Sequence, residues 1–213
     1  KKTILIENGF GEKTFFSSKH ERLNFRKKCN LKKSDIVLGF AGRYTKEKNI
    51  KSLLLGFAKF IKNNKNVHLC MVGKNINIWN EELMSYLNNY NIKEKVHLLN
   101  EQKNLLKFYN GIDLLLLTSH TESFPNVVAE SMLCSTPVLS SDVGCSKKII
   151  NNCGFIMKDN NYQSIFQNLK KFSNVFKNKK KEWKILKTKS QLKIKKDYSI
   201  EKMANSYFKT WNF

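Results

Sequence analysis

Short apolar runs that end in turn residues, each followed by a helix-period stretch, set the limits on what this chain can become. Ile36-Val37-Leu38-Gly39-Phe40-Ala41 is short, apolar and bounded by turn residues. That is the pattern of a strand buried on both faces. Leu53, Leu54, Phe57, Ala58, Phe60 and Ile61 follow at helical spacing. The same alternation recurs with Val67–Val72 and a helix from Trp79 to Tyr90, and with Val96–Leu99 and a short helix over Leu105–Tyr109. It returns with Asp113–Leu117 and a helix from Asn126 to Cys134, then with strands at Thr136–Ser140 and Gly154–Met157. Ahead of these, Thr3–Ile6 reads as a strand ending in an Asn8-Gly9 turn. Ser17 or Ser18 reads as the cap of a helix to Lys28, with Leu23 and Phe25 as its apolar residues. From Tyr162 onward the pattern is helical and lysine-rich, closing with Ile200–Trp211. Five or more strand–helix alternations favour an α/β fold, a doubly wound, Rossmann-like parallel sheet covered on both faces. Such sheets bind ligands at the carboxyl ends of their strands.

Composition removes several alternatives. No apolar run reaches the roughly 20 residues of a membrane-spanning helix. The start, Thr3-Ile4-Leu5-Ile6, meets Glu7 and Asn8 at once, so no signal peptide is expected. The chain begins without Met, as a piece or a processed form of a longer protein would. The five cysteines are scattered with no C-x-x-C pair, which speaks for reduced, mostly buried thiols in a cytoplasmic protein. The formal net charge is +22, and only three of the 39 basic residues are arginine. Biased composition, an anionic membrane surface and a nucleic acid are three open readings of that charge. Scarce arginine and aromatics at core spacing weigh against nucleic acid.

The chemistry-bearing residues sit just after strands. Glu122 and Glu130 flank the start of a helix near Asn126, where free backbone N–H groups favour an anion. Ionised carboxylates are pure acceptors and can hold sugar hydroxyls. The bland alternative is a solvated loop charge and a helix-surface charge. Arg43 and Lys48 follow Gly42 at a strand end, and two cations there can clamp a diphosphate or simply face water. Gly73-Lys74 and Asn100-Glu101-Gln102 are further strand-end turns that either read a base or only turn the chain. The histidines (His20, His68, His97, His120) have no metal-ligand spacing. His68 and His97 fall in strands, and His120 lies beside Glu122. No Asp-x-Asp, nucleophile elbow or G-x-G-x-x-G is present.

Glu122-Ser-Phe-Pro-Asn-Val-Val-Ala-Glu130, continuing to Pro137, Asp142 and Gly144, closely resembles the E-x7-E signature of retaining glycosyltransferases of the GT-B fold, family 4 or group 1. Phe40-Ala-Gly-Arg43 with Lys48, Ile6-Glu-Asn8-Gly9, Val96–Leu99 and Gly154–Met157 match in order, so the resemblance covers nearly the whole chain. It implies the C-terminal, donor-binding half of a GT-B enzyme. Residues 1–213 would form one nucleotide-sugar-binding domain, with about 1–15 as the interdomain segment and about 197–213 as a tail helix crossing to an N-terminal acceptor domain not in this chain. Phe208, Trp211 and Phe213 would then lack part of their cover.

By position, Glu122 would hold donor-sugar hydroxyls and Glu130 the ribose, while Arg43 and Lys48 would stabilise the leaving diphosphate. Amides of Phe124, Asn126 and Val127 would line the sugar and phosphates, with Gly42, Ser123 and Pro125 in the same motifs. Gly73, Lys74 and Gln102 would lie near the base. The resemblance implies a nucleotide-diphospho-sugar donor, UDP-sugar favoured, and metal-independent retaining transfer by front-face attack. The acceptor would be a polysaccharide or a lipid-linked sugar, in the cytoplasm or peripheral on the inner face of the membrane. No cofactor, metal or nucleic acid is expected. A nucleotide-binding module without transfer and a GT-B nucleotide-sugar epimerase are the alternatives. Asn100 replaces a usual glycine, and Cys145 with the lysines after it departs from the pattern following Asp-Val-Gly.

Overall fold

Alternate residues of the first strand serve two different cores. The computed structural model describes residues 3–211; residues 1, 2, 212 and 213, Phe213 among them, lie outside the described residues. Strand β1 (Ile36–Ala41) is buried at every position. Ile36, Leu38 and Phe40 face helices α2 (Ile50–Ile61), α3 (Glu81–Asn89) and α7 (Tyr162–Asn178). Val37 and Ala41 face α1 (Lys19–Lys28), α4 (Leu106–Gly111), α5 (Asn126–Leu133) and α6 (Ser146–Ile150). Helix α8 (Lys180–Asp197) joins both cores, through Trp183 and Ile194. Gly39 lies on the α4 side of β1, where a Cβ would stand 2.3 Å from the Ile112 Cδ1 atom. A strand glycine here admits the close crossing of the α4 end.

The other strands are β2 (Val67–Val72), β3 (Val96–Leu98), β4 (Leu114–Leu117), β5 (Val138–Ser141) and β6 (Phe155–Met157). All pair in parallel, in the order β3-β2-β1-β4-β5-β6. This is the doubly wound order in which the winding reverses between β1 and β4.

At the amino ends of β1 and β4 a buried charge cluster locks the α1 helix to the sheet. Arg26 is 3% exposed and donates to Asp113 Oδ2 at 2.8 Å and to the carbonyls of Gly111, Lys32 and Asp35 at 3.0 Å each. Arg22 donates to Asp113 Oδ1 at 2.6 Å, and the Val37 amide to Asp113 Oδ2 at 2.8 Å. A buried ion pair is sound only when its remaining polar atoms are bonded, as they are here.

Several sequence-based expectations change. Residues 3–9 form no strand: they pair with neither sheet edge, β3 nor β6, and Ile4 and Leu5 are 54% and 82% exposed. An apolar run without a partner strand has no ladder for its backbone groups. Leu23 is 60% exposed, because Phe25 and Arg26 fill the inward face of α1. The third helix begins at Glu81 rather than Trp79, since Asn80 caps it by accepting from the Leu83 amide. Helix α6 has no counterpart in the sequence reading; five residues with two lysines carry too little periodicity. The lysine-rich tail divides at Lys179 and Tyr198 into α7, α8 and α9 (Ile200–Trp211).

Replacing Asp113 with Ala leaves the buried Arg26 cation without its carboxylate. We expect a loss of about 3–5 kcal/mol in urea unfolding, the cost of breaking one partner of a buried pair. A loss under about 1 kcal/mol, the range of an exposed ion pair, would contradict this role.

Candidate functional site

The loops leaving the carboxyl ends of β1, β2 and β3 are laced together by backbone bonds. Gly42 N–H donates to the Val72 carbonyl at 2.9 Å, Tyr44 N–H to Lys74 at 2.9 Å and Gly73 N–H to Asn100 at 3.0 Å. Gly73 has φ +146, and a Cβ there would stand 1.9 Å from the Gly42 carbonyl oxygen, so only glycine fits. Asn100 takes φ 55 and donates its amide to the Ile76 carbonyl at 3.0 Å. Asparagine tolerates this left-handed conformation, so the exchange for the usual glycine keeps the turn. Gln102, two residues on, is exposed and donates its side-chain amide to the Leu99 carbonyl at 2.7 Å. Lys74 is exposed on the same rim.

The β1 and β4 loops meet across the switch point. A 3-10 turn, Lys46–Lys48, carries Lys48 back toward the sheet. The Lys48 carbonyl accepts from Thr118 Oγ1 at 3.0 Å, and the Glu47 carbonyl accepts from the His120 amide at 2.7 Å. So anchored, Lys48 Nζ donates to Glu122 Oε1 at 2.5 Å, and the Ser119 hydroxyl donates to the same oxygen at 2.7 Å. Both side chains keep some exposure, 20% for Lys48 and 14% for Glu122. The β5 loop supports the Glu122 segment from behind. Gly144 has φ +51, a Cβ on it would lie 2.2 Å from the Glu122 carbonyl oxygen, and Cys145 N–H donates to Ser123 O at 3.2 Å. That contact is the physical reason for a glycine after Asp142-Val143.

Helix α5 then begins at Asn126 behind Pro125, with no side-chain cap. The Val128 amide donates to the Pro125 carbonyl at 3.0 Å, and the amides of Asn126 and Val127 ahead of it stand at the helix start, the position that favours an anion. Asn126 and Ser123 are exposed, and Val127 and Phe124 are half-buried. Phe124 stacks on Phe10 at 6.1 Å between ring centroids and meets Tyr198 edge-on at 5.9 Å. Asn8 donates to Asn126 Oδ1 at 2.9 Å. Asn8-Gly9, expected as a turn, forms none: the segment runs on without a turn, held by its contacts to the α5 start and to the residue before α9, where a Cβ on Gly9 would stand 2.7 Å from Ser199 O.

Glu130 lies on the second turn of α5. Tyr109, wholly buried, donates its hydroxyl to Glu130 Oε2 at 2.7 Å. Burial holds the Glu130 carboxyl above its ordinary range, and the Tyr109 hydrogen bond works in the opposite direction. The sequence reading missed Tyr109: it is 21 residues from Glu130 and reads as one more apolar residue of a short helix. Arg43 is exposed, and among the described residues no carboxylate pairs with it. The structure therefore joins Lys48 to Glu122 and leaves Arg43, five residues before Lys48 in the β1 loop, open to water. His68 and His97 stay apart from this site, hydrogen-bonded to each other at 3.1 Å on β2 and β3. His120 joins through its backbone amide.

Residues 21–188 match the family described as glycosyl transferases group 1, and the chain belongs to that family. It is 26% identical over 148 residues to the capsular polysaccharide biosynthesis glycosyltransferase CapM of Staphylococcus aureus, covering 68% of this chain and 38% of that protein. It is 25% identical over 147 residues to the N-acetyl-alpha-D-glucosaminyl L-malate synthase of Bacillus anthracis, covering 69% of this chain and 37% of that one. The chain thus spans well under half the length of these curated relatives. Among solved structures, Anabaena HepE in complex with UDP-glucose superposes with TM-score 0.86 at 18% identity, over 97% of this chain and 56% of HepE. The C-terminal domain of LpcC, a group 1 family protein of Francisella tularensis, gives TM-score 0.76 at 16% identity, over 90% of this chain and 100% of that domain. The fold is that of a GT-B C-terminal domain.

Replacing Tyr109 with Phe removes a bond that favours the charged carboxylate, so the Glu130 pKa rises further. With its folded pKa above the unfolded value, Glu130 costs stability as pH climbs through that interval, and the variant widens the interval. Carboxyl-carbon NMR titration of Glu130 checks it; an unchanged or lower pKa in the variant would contradict the coupling.

Proposed function

We propose that this chain is the donor-binding domain of a retaining glycosyltransferase that uses a nucleotide-diphospho-sugar, with UDP-sugar favoured. The observation that carries the reading is the Lys48–Glu122 pair at the β1/β4 switch point, which ties the β1 loop to the loop that leads into the uncapped start of α5. The bound UDP and UDP-glucose of HepE, a protein of the same fold, support the choice of donor.

In this reading the diphosphate rests on the amides of Phe124, Asn126 and Val127, with Gly42 and Pro125 shaping the approach. Arg43 and Lys48 stabilise the negative charge that grows on the leaving diphosphate as the sugar C1–O bond breaks. Glu122 accepts from donor-sugar hydroxyls beside Ser123, and its bond to Lys48 fixes both groups before the donor arrives. Glu130, held by Tyr109, accepts from the ribose hydroxyls. Gly73, Lys74 and Gln102 frame the base. The leaving-group oxygen assists deprotonation of the acceptor on the same face, so the protein contributes position and charge rather than a covalent nucleophile. No metal takes part in this scheme.

The acceptor, a polysaccharide or a lipid-linked sugar, is met by a preceding domain. Helix α9 supports that division. It buries none of its residues in this chain, and Phe208 and Trp211 are 66% and 77% exposed, an apolar surface suited to a second domain. Residues about 1–15 are the matching interdomain segment, tied at Asn8 to the donor site.

Isothermal titration with UDP, GDP and their sugars, in the presence of a chelator, tests the assignment. Binding in the micromolar to millimolar range is expected, with UDP ahead of GDP. Arg43→Ala and Glu130→Ala should each weaken it roughly 10- to 100-fold, as loss of a hydrogen bond to a charged group implies. No binding of any nucleotide would overturn the reading, and dependence on added metal would overturn the metal-free mechanism.

A further inference from the structure

Helix α8 has two opposite faces, and the outer one is not accounted for by donor binding. Trp183, Ser190 and Ile194 are its buried residues. At 3.6 residues per turn the opposite ridge carries Lys181, Ile185, Thr188, Lys189, Leu192 and Lys196, all exposed. Ile185 and Leu192 stand one above the other, seven residues apart, at 53% and 56% exposure. Lysines 181, 189 and 196 frame them along the same ridge. Glu182 on the flank is neutralised by Lys179 at 3.0 Å. Two exposed aliphatic side chains amid lysines, on an 18-residue helix of a chain with net charge +22, combine the two attractions a charged bilayer offers: apolar burial at the headgroup boundary and Coulombic pull. Long lysine stems let the ammonium groups stay among headgroups while the aliphatic tips go deeper. A nucleic acid would use the lysines but has no use for the apolar pair between them.

We propose that the outer face of α8 is a docking surface for an anionic lipid bilayer, with Ile185 and Leu192 entering the headgroup boundary and Lys181, Lys189 and Lys196 binding lipid phosphates. The inference rests on this surface alone and stands or falls separately from nucleotide binding.

Co-sedimentation of the 213-residue chain with vesicles of phosphatidylcholine, with and without phosphatidylglycerol, tests it. Binding is expected only with the anionic lipid and should fall as salt rises. The triple variant Lys181→Glu, Lys189→Glu, Lys196→Glu should lose at least about a hundredfold in partitioning, from roughly a factor of five for each lysine charge removed, with the three added carboxylates increasing the loss. Ile185→Ser with Leu192→Ser should weaken binding while leaving it salt-sensitive. A control of equal charge, Lys33→Glu, Lys62→Glu, Lys93→Glu, should bind nearly as the parent does, and circular dichroism with urea unfolding confirms that every variant is folded. Failure to bind anionic vesicles, or equal loss in the control, would overturn the proposal. So would single-stranded RNA binding of equal strength that depends on the same three lysines but not on Ile185 and Leu192, since the face would then be a general polyanion site.

Discussion

The reversal of winding between β1 and β4 is the constraint from which the candidate site follows. Chain leaving β1 goes to one face of the sheet and chain leaving β4 to the other, so no helix bridges the gap at their carboxyl ends. The two loops must be stabilised by each other. They are, through Thr118 on the Lys48 carbonyl, His120 on the Glu47 carbonyl and the Lys48–Glu122 ion pair. The opposite end of the same two strands is closed by Arg22, Arg26 and Asp113. One end is thus sealed by a satisfied buried charge cluster, and the other keeps its charges within reach of solvent. That asymmetry leaves one end of the two strands closed and the other open to solvent.

Around the switch point, tight turns do the shaping, and asparagine does much of what glycine usually does. Among the described residues, seven of the eight non-glycine residues with positive φ are asparagine, including Asn49 before α2 and Asn100 beside Gly73. The abundance of asparagine, which on sequence grounds looks like a bias of composition, therefore has structural use. Glycine is retained where a Cβ would strike backbone, as at Gly73 against Gly42 and Gly144 against Glu122.

Much of this was legible in the sequence because buried parallel strands leave short apolar runs between turn residues. All six strands and most helices fall where those runs place them. The failures have physical causes. Thr3–Ile6 has a strand's composition but no neighbouring edge to pair with. Helix α6 is too short to show a period. Tyr109 supports Glu130 from across the core, a relation no local pattern encodes. Of the three arginines, Arg22 and Arg26 are used for structure at the far end of the sheet, and only Arg43 lies on the candidate-site side, a division that the sequence pattern does not encode. The two glutamates were legible only as a motif, and their environments differ: one is paired to a cation, the other is buried under a tyrosine hydroxyl.

In the proposed function the β1/β4 switch point holds the nucleotide-sugar. Backbone amide NMR of the chain titrated with UDP tests it most directly. The largest shifts are expected on Gly42–Arg43, Gly73–Lys74 and Phe124–Glu130. Shifts centred instead on the depression of about 480 Å³ between residues 5–8 and α9, which none of the proposed donor-binding residues lines, would contradict it.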